Sequence, residues 1–444
     1  MANEHASEKV MRSLVVVVAC LLATKAQAQD PLRLTLDDAV ARGIANSHRL
    51  AELQARKQGA EAAEAGSDAA SMPIISLQGG YTRTNHVQEF RIVQLGQLVT
   101  IYPDVPDNLR TRVDLNWPVY SAGRTDAVER AAEAERKATE EDITAARADL
   151  RLEVTRAFWA LVSAIESEHV LARALDTIGA HVGDLRSRFE QGLIAPNEVL
   201  IAEAQQSRQR VLAIEATNLR GVSEADLRRL IGIDTLDRIE PVAVLATTPA
   251  AAGGLDGLIG EARTQRAERR ALEDRLNASR AREEAVAAEG RPQVGITGGY
   301  DYMRPNPHIF PRADKWQDSW DASVNVSWLL WDGGRRGAQR AEAVAASQAV
   351  RARVADFDRQ VTFEVQQRRL ELDSSRAAID AAADGVRSAV EAQRVVGERF
   401  RAGVVTSTDV LDAEQAVLAA ELDLTRSRVN ARLAEARLAR AVGK

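Results

Sequence analysis

The sequence has 444 residues and a net charge of −6, with 45% apolar and 27% charged residues, an ordinary globular balance. Its length predicts two or three domains, and an acidic chain gives no reason to expect nucleic acid, whose partners are usually basic. The single cysteine rules out an intramolecular disulfide and a cysteine-based zinc site, and the six histidines show no metal-ligand spacing. No cofactor and no metal site are expected.

Arg12 precedes an apolar run from Ser13 to Ala23, and Ala26-Gln27-Ala28 supplies a small-x-small cleavage pattern. This reads as a secretory signal over 1–28, too short to span a membrane as a helix. Met11 is a second candidate start, since Glu4 and Glu8 are unusual ahead of such a run. Val17-Val18-Ala19-Cys20 also loosely fits a lipoprotein site with Cys20 acylated, although the apolar run before it is short for that. The mature chain, from about Gln29, carries no cysteine and no other long apolar stretch. It is expected to be exported and to have no transmembrane helix.

Internal duplication organises the rest. Arg188-Phe189-Glu190-Gln191-Gly192-Leu193-Ile194 aligns with Arg399-Phe400-Arg401-Ala402-Gly403-Val404-Val405, and Glu198-Val199-Leu200 with Asp409-Val410-Leu411, at a constant offset of 211 residues. The same offset pairs Trp117 with Trp328, Gly123 with Gly334 and Arg124 with Arg335. Pro73 and Gly79-Gly80-Tyr81 pair with Pro292 and Gly298-Gly299-Tyr300 at an offset of 219. The expected organisation is a signal peptide 1–28, a first repeat 29–234, a linker 235–254 and a second repeat 255–444. Pro241, Pro249 and Gly253-Gly254 mark the linker as a hinge.

Each repeat runs in the same order. A helical stretch rich in Ala, Glu and Arg comes first (Leu36–Ala70, Leu255–Glu289), and a strand pair follows. Then come a very long helix (Arg124–Phe189, Arg335–Phe400), a short turn and a returning helix (Pro196–Ile231, Ser407–Val442). Between Arg124 and Glu240 the only proline is Pro196, and none follows Pro311. Leu171, Leu175, Ile178, Val182, Leu185 and Phe189 step by four and three alternately, which is a coiled-coil seam. A helix of about 65 residues is roughly 100 Å long and must pack sideways against other helices.

The strands alternate apolar and polar residues over about 74–83, 112–120, 293–302 and 320–331. Segments of about ten residues with one apolar and one polar face match barrel strands that span a bilayer; a half-buried soluble sheet is the plainer alternative. Aromatic placement favours the membrane. Aromatics are only 4% of the chain, and two thirds of them fall in Ile74–Tyr120 and Pro292–Trp331. Trp117, Tyr120, Trp320, Trp328 and Trp331 lie near strand ends, where interface girdles sit. The outer ends of each pair lead into helices, and the inner ends are joined by long loops read as polar (Arg83–Arg112, Met303–Ser319). Helices and loops are therefore expected on opposite sides of the membrane. Four strands cannot close a barrel, and an open edge is not tolerated in lipid, so the protein must oligomerise.

Taken together, over essentially the whole mature sequence, these elements resemble the TolC-like family of outer-membrane efflux ducts. The duplicated helix–strand–strand–helix unit, the repeated Arg-Phe-x-x-Gly segment and Asp409-Val410-Leu411-Asp412 carry the resemblance. It implies a fold of α plus membrane β. Long coiled-coil helices form a tunnel in the periplasm, and four strands per chain enter a shared twelve-stranded outer-membrane barrel of a homotrimer. It implies a periplasmic adaptor protein and an inner-membrane transporter as partners, with the chain as the passive exit duct of a tripartite efflux or type I secretion system.

The turns at Gly192–Pro196 and Gly403–Ser407 are then the tunnel tips. Gly192 and Gly403 suit the left-handed position that ends a helix. Pro196 suits the first turn of the next helix, and Ser407 or Thr408 suits its N-cap. The resemblance makes Gly192, Leu193, Ile194, Gly403, Val404 and Val405 the place where adaptor hairpins dock, though a plain helix-hairpin turn explains the same residues structurally. It makes Asp409 and Asp412, one turn apart, an acidic ring at the narrow entrance. An acid in a helix's first turn also complements the dipole, which accounts for Asp409 and its partner Glu198. Asp412 is different, because its partner in the first repeat is Ile201. One departure stands out: the tyrosine and arginine that often lock the family's closed entrance match Phe400 and Val405 here, and Asn197 stands at a threonine. The closed state is expected to rest on packing.

Two other classes fit less well. A periplasmic adaptor or coiled-coil stalk without its own pore would show one hairpin among small β domains, or no alternating strands at all. An enzyme would need a phosphate loop, a nucleophile elbow or a ligand cluster, and none is found; acids and arginines on long helices are by default a solvated, ion-paired face.

Overall fold

The computed structural model describes residues 32–233, 238–243, 245 and 253–444. The signal segment 1–28 with Cys20, the alternative start at Met11, and much of the linker lie outside the described residues. β1 (Leu32–Leu34) pairs in parallel with β6 (Ile239–Pro241), which falls inside the stretch read as the linker. Glu224 Oε1 fixes β6 by accepting the Ile239 N–H at 2.6 Å, while the Arg228 guanidinium donates to the same oxygen.

The helical stretch that opens each repeat is two helices, not one. α1 (Leu36–Asn46) and α2 (His48–Ala69) are separated at Ser47, and α5 (Leu255–Gln265) and α6 (Ala267–Ala288) at Arg266. Both break residues are extended, with ψ of 112° and 119°. The cause is tertiary and the same in both repeats. Asn46 donates to the Ile231 carbonyl and sits against Gly232, where a Cβ would lie 2.6 Å from the Asn46 Cβ. In the second repeat a Cβ on Gly443 would lie 2.9 Å from the Gln265 carbonyl carbon. Each first helix therefore stops against the left-handed glycine that ends the returning helix.

The long helices follow the expected bounds closely: α3 (Arg124–Glu190), α4 (Pro196–Ile231), α7 (Arg335–Arg401) and α8 (Ser407–Val442). No described helix is long and apolar enough to cross a membrane.

The chain forms two compact units that each draw on both repeats. The first comprises the described residues of 1–47, 150–252 and 370–437, and the second 48–149, 253–369 and 438–444. The first unit holds both tips, where Ile178, Val182, Leu185, Val199, Phe400, Val410 and Leu411 bury one another. The second unit is packed differently. α6 buries Ala267, Ala271, Ala278, Ala281, Ala285 and Ala288, small side chains that allow close helix approach. Arginines are paired there as well: Arg266 with Glu364 at 2.6 Å and Arg269 with Asp358 at 2.7 Å.

The second unit also carries the four-stranded antiparallel sheet, in the order β2 (Ile74–Arg83), β5 (Asp107–Tyr120), β7 (Gln293–Arg304) and β8 (Gln317–Ser327). The β5–β7 pairing joins the two repeats. β5 starts earlier than the alternation indicates, and β8 ends at Ser327, so Trp328 and Trp331 lie just beyond it. The first inter-strand loop is not simply polar. It folds into a hairpin of β3 (Phe90–Gln94) and β4 (Gln97–Tyr102) around Leu95-Gly96, both at positive φ, with Val93, Leu95 and Leu98 exposed. Two-residue hairpin turns of this hand usually carry Asn or Gly first, so a leucine gives no turn signal.

Candidate functional site

The two tips have one backbone. Gly192 and Gly403 take φ of 72° and 75°, as the sequence predicts. In the first tip the Gly192 N–H donates to the Phe189 carbonyl and the Leu193 N–H to the Arg188 carbonyl; in the second, Gly403 donates to Phe400 and Val404 to Arg399. This is the Schellman pair that satisfies the last carbonyls of a helix. Leu193 and Val404 project outward, 69% and 62% exposed. Ile194 and Val405 instead turn inward and pack on the tip core. Of the six tip residues, the two aliphatic side chains free to meet another protein are therefore Leu193 and Val404.

The helix starts differ. α4 begins at Pro196 with Ala195 before it and no side-chain cap. In the second tip the N-cap is Thr406, not Ser407 or Thr408. Thr406 donates its N–H and its hydroxyl to Asp409 Oδ2 at 2.8 and 2.7 Å, and its Oγ1 accepts the Asp409 N–H at 3.4 Å. This reciprocal box satisfies two orphan donors at once. Its hydrogen bonds, the hydroxyl's first and then the backbone N–H, hold the Asp409 carboxyl below the usual carboxylate range. Ser407 is buried instead, with its Oγ 3.2 Å from His181 Nε2. Asp412 is exposed and lines a groove between α4 and α8 together with Ile201, Gln205, Thr408 and Gln415. Ile201, the residue equivalent to Asp412 in the first repeat, thus borders the same groove.

Phe400 packs into the tip core. It is 9% exposed, lies under the Arg188 guanidinium at 4.8 Å and tilts against the His181 ring at 5.6 Å. Burial pushes the His181 imidazole below its ordinary range.

The sheet has two contrasting faces. Ile75, Leu77, Val113, Trp117, Val119, Tyr300, Trp320, Val324 and Val326 share one face and are exposed. The other face carries a charge cluster. Arg112 reaches Asp114 at 2.6 Å, Asp321 at 2.8 Å and Asp301, with Arg110 also on Asp301 at 3.3 Å. Gly299 makes room for it, since a Cβ there would lie 2.1 Å from Arg112 Nη2. No pattern in the sequence singles out this cluster. An apolar face left bare in one chain suits lipid, and the charged face suits a water-filled lumen.

Aromatics stand at both ends of the sheet. At the helix end Trp117 Nε1 donates to the Ser71 carbonyl at 3.2 Å and Trp328 Nε1 to the Gly290 carbonyl at 3.1 Å, a match between the repeats. Tyr120 and Trp331 are exposed nearby in the sequence. At the loop end Trp320 is exposed and Tyr302 stacks on Trp316 at 4.9 Å. Among the described residues no group of three or more His, Cys, Asp or Glu side chains is placed to hold a metal ion.

Comparison with known proteins agrees with this geometry. Residues 39–233 and 258–444 match the sequence profile of the outer membrane efflux protein family. The outer membrane protein TolC of Vibrio cholerae is 25% identical over 411 residues, covering 90% of this chain and 88% of that one. Among solved structures, VceC of Vibrio cholerae superposes with a TM-score of 0.78 at 21% identity, over 92% of this chain and 96% of its own. The open state of the Neisseria gonorrhoeae MtrE channel superposes at 0.76 and 18% identity, over 92% and 88%. The chain belongs to the outer membrane efflux protein family and is an outer-membrane exit channel of an efflux system, with its helices in the periplasm.

Proposed function

We propose that three copies of the chain close into one twelve-stranded barrel and one helical tunnel. Asp409 and Asp412 ring its narrow periplasmic entrance, and the tips receive an adaptor protein that couples the duct to an inner-membrane transporter. The carrying observation is the open sheet: β2 and β8 are both edges, and unpaired strand edges are not tolerated in lipid. The strands alternate in direction and are even in number, so β8 of one copy meets β2 of the next antiparallel. Family membership supports three copies, the number that the family resemblance implies.

The acids are supported by asymmetry between the tips. Helix capping accounts for Asp409, but Asp412 lies a turn further along, exposed, where the first repeat has Ile201. Three-fold symmetry would triple each charge, and a ring of carboxylates favours cations and binds divalent ions. Exposed Leu193 and Val404 support the docking role. Native mass spectrometry of the detergent-extracted protein tests the assembly. A three-chain species is expected, and a stable single chain or pair would reject it.

A further inference from the structure

The tip helices enclose a polar feature that neither packing nor ion pairing explains. Within the first unit, one cavity is bordered by Thr177 of α3, Gln209 of α4, Gln393 of α7 and Glu414 of α8. Gln209 is 3% exposed, and its Oε1 is buried without a hydrogen-bond partner. Glu414 Oε2 is also buried without a partner. Two acceptors therefore line one cavity and lack a donor. Buried polar atoms are almost always satisfied, and leaving one unsatisfied is costly.

The charged groups around Glu414 do not supply that donor. α3 presents Arg173, His181, Asp184 and Arg188, and α7 presents Arg394, Glu398 and Arg401. α8 adds Glu421; the α4 residue that lines these cavities is Gln209, while Arg208 of α4 faces the neighbouring groove beside Asp412 and donates to Gln205. Arg173 is held by Glu421 at 3.2 Å, Arg188 by Asp184 at 3.0 Å, and Arg394 by Glu391 and Glu398 at 2.6 and 2.7 Å. His181 is engaged with Ser407.

We infer that Glu414 and Gln209 form a proton-binding site within the tip helices, in which the protonated Glu414 carboxyl is the donor the cavity lacks. Loss of that proton leaves a bare carboxylate among buried acceptors. Water then enters, and α4 separates from α8. Burial agrees with this by pushing the Glu414 carboxyl up to about 7. The sign follows from linkage. The closed packing, with the carboxyl buried, holds the proton more tightly than an open, solvated one does, so its advantage is full below about pH 4.5, shrinks as pH rises and is gone above about 7. Across that window the open-to-closed ratio rises by up to about two orders of magnitude. The link from this site to conduction rests on the duct reading.

Hydrogen exchange on the full-length, detergent-extracted protein tests the site without needing a pore. After correction for intrinsic rates, residues 205–213 and 410–418 should lose protection between pH 5 and pH 8 in the wild type and keep it in Glu414→Gln. Glu414→Leu, which fills the cavity with an apolar group, should give the same flat profile if Glu414→Gln assembles poorly. His181→Asn should retain the wild-type profile, because His181 does not border the cavity that Glu414 shares with Gln209. Equal pH dependence in the wild type and both Glu414 variants would overturn the site. Planar-bilayer current read in parallel should rise over the same pH range only in the wild type. Glu414-dependent exchange in protein that conducts nothing would support the site and count against the duct. Steady conduction with exchange indifferent to Glu414 would do the reverse.

Discussion

The turn between α3 and α4 and the turn between α7 and α8 share a backbone and differ in nearly everything attached to it. Both close with the same two hydrogen bonds around a left-handed glycine. Past the glycine they part. The first helix starts on Pro196 without a side-chain cap, while the second is capped by Thr406 and Asp409. Phe189 is 44% exposed and its counterpart Phe400 only 9%. Ile201 stands where the second copy has Asp412. Both copies retain what ending one helix and beginning another demands; the features that only one copy carries are those to examine for a role beyond the turn.

The comparison breaks first at the aromatic pair. Phe400→Ala should loosen the second tip by about 3–5 kcal/mol, the usual cost of emptying a buried aromatic site. Phe189→Ala should cost its tip about 1 kcal/mol or less. Hydrogen exchange of the two turns reads both. The glycines should instead behave alike. A Cβ on Gly192 or Gly403 meets nothing within 4 Å, so alanine at either site costs only the left-handed backbone, roughly 1–2 kcal/mol. A large difference between them would show that the tips are not equivalent turns.

The caps give a smaller, sharper contrast. Thr406→Ala should cost about 1 kcal/mol of helix-start stability, and Ala195→Ser should recover part of such an amount in the first tip. Acid should separate the tips too. The Thr406 hydrogen bonds favour the charged form of Asp409, so the stability they add is present above the ordinary carboxylate range and is lost as pH falls through the lowered value. Exchange at residues 404–410 should therefore accelerate in acid relative to 193–199 once intrinsic rates are removed.

Much of this is legible in the amino-acid sequence. The repeat offsets, the scarcity of proline and the alternating strands place the long helices and the sheet, because each is a local pattern of one period. The breaks at Ser47 and Arg266 were not legible: neither residue is glycine or proline, and both are set by contact with a distant glycine. The Leu95-Gly96 hairpin lacked the usual turn residue. The Arg112 cluster depends on cross-strand register, and a single strand does not reveal it. At the site, the sequence holds the Thr406-x-x-Asp409 capping pattern, but Ser407 and Thr408, the hydroxyls read as the cap, stand one and two residues past it. In the sequence Ile194 and Val405 are as available for docking as Leu193 and Val404; the packing of the tip core separates them.

The most direct measurement is single-channel recording in a planar bilayer, with and without millimolar divalent cations, on wild type, Asp409→Ala with Asp412→Ala, and Glu198→Ala. A passive duct gated by the second tip predicts a steady, cation-selective current that divalent ions block. The block should disappear in the double variant and survive in Glu198→Ala. Cation preference and block that persist unchanged without Asp409 and Asp412 would contradict the account.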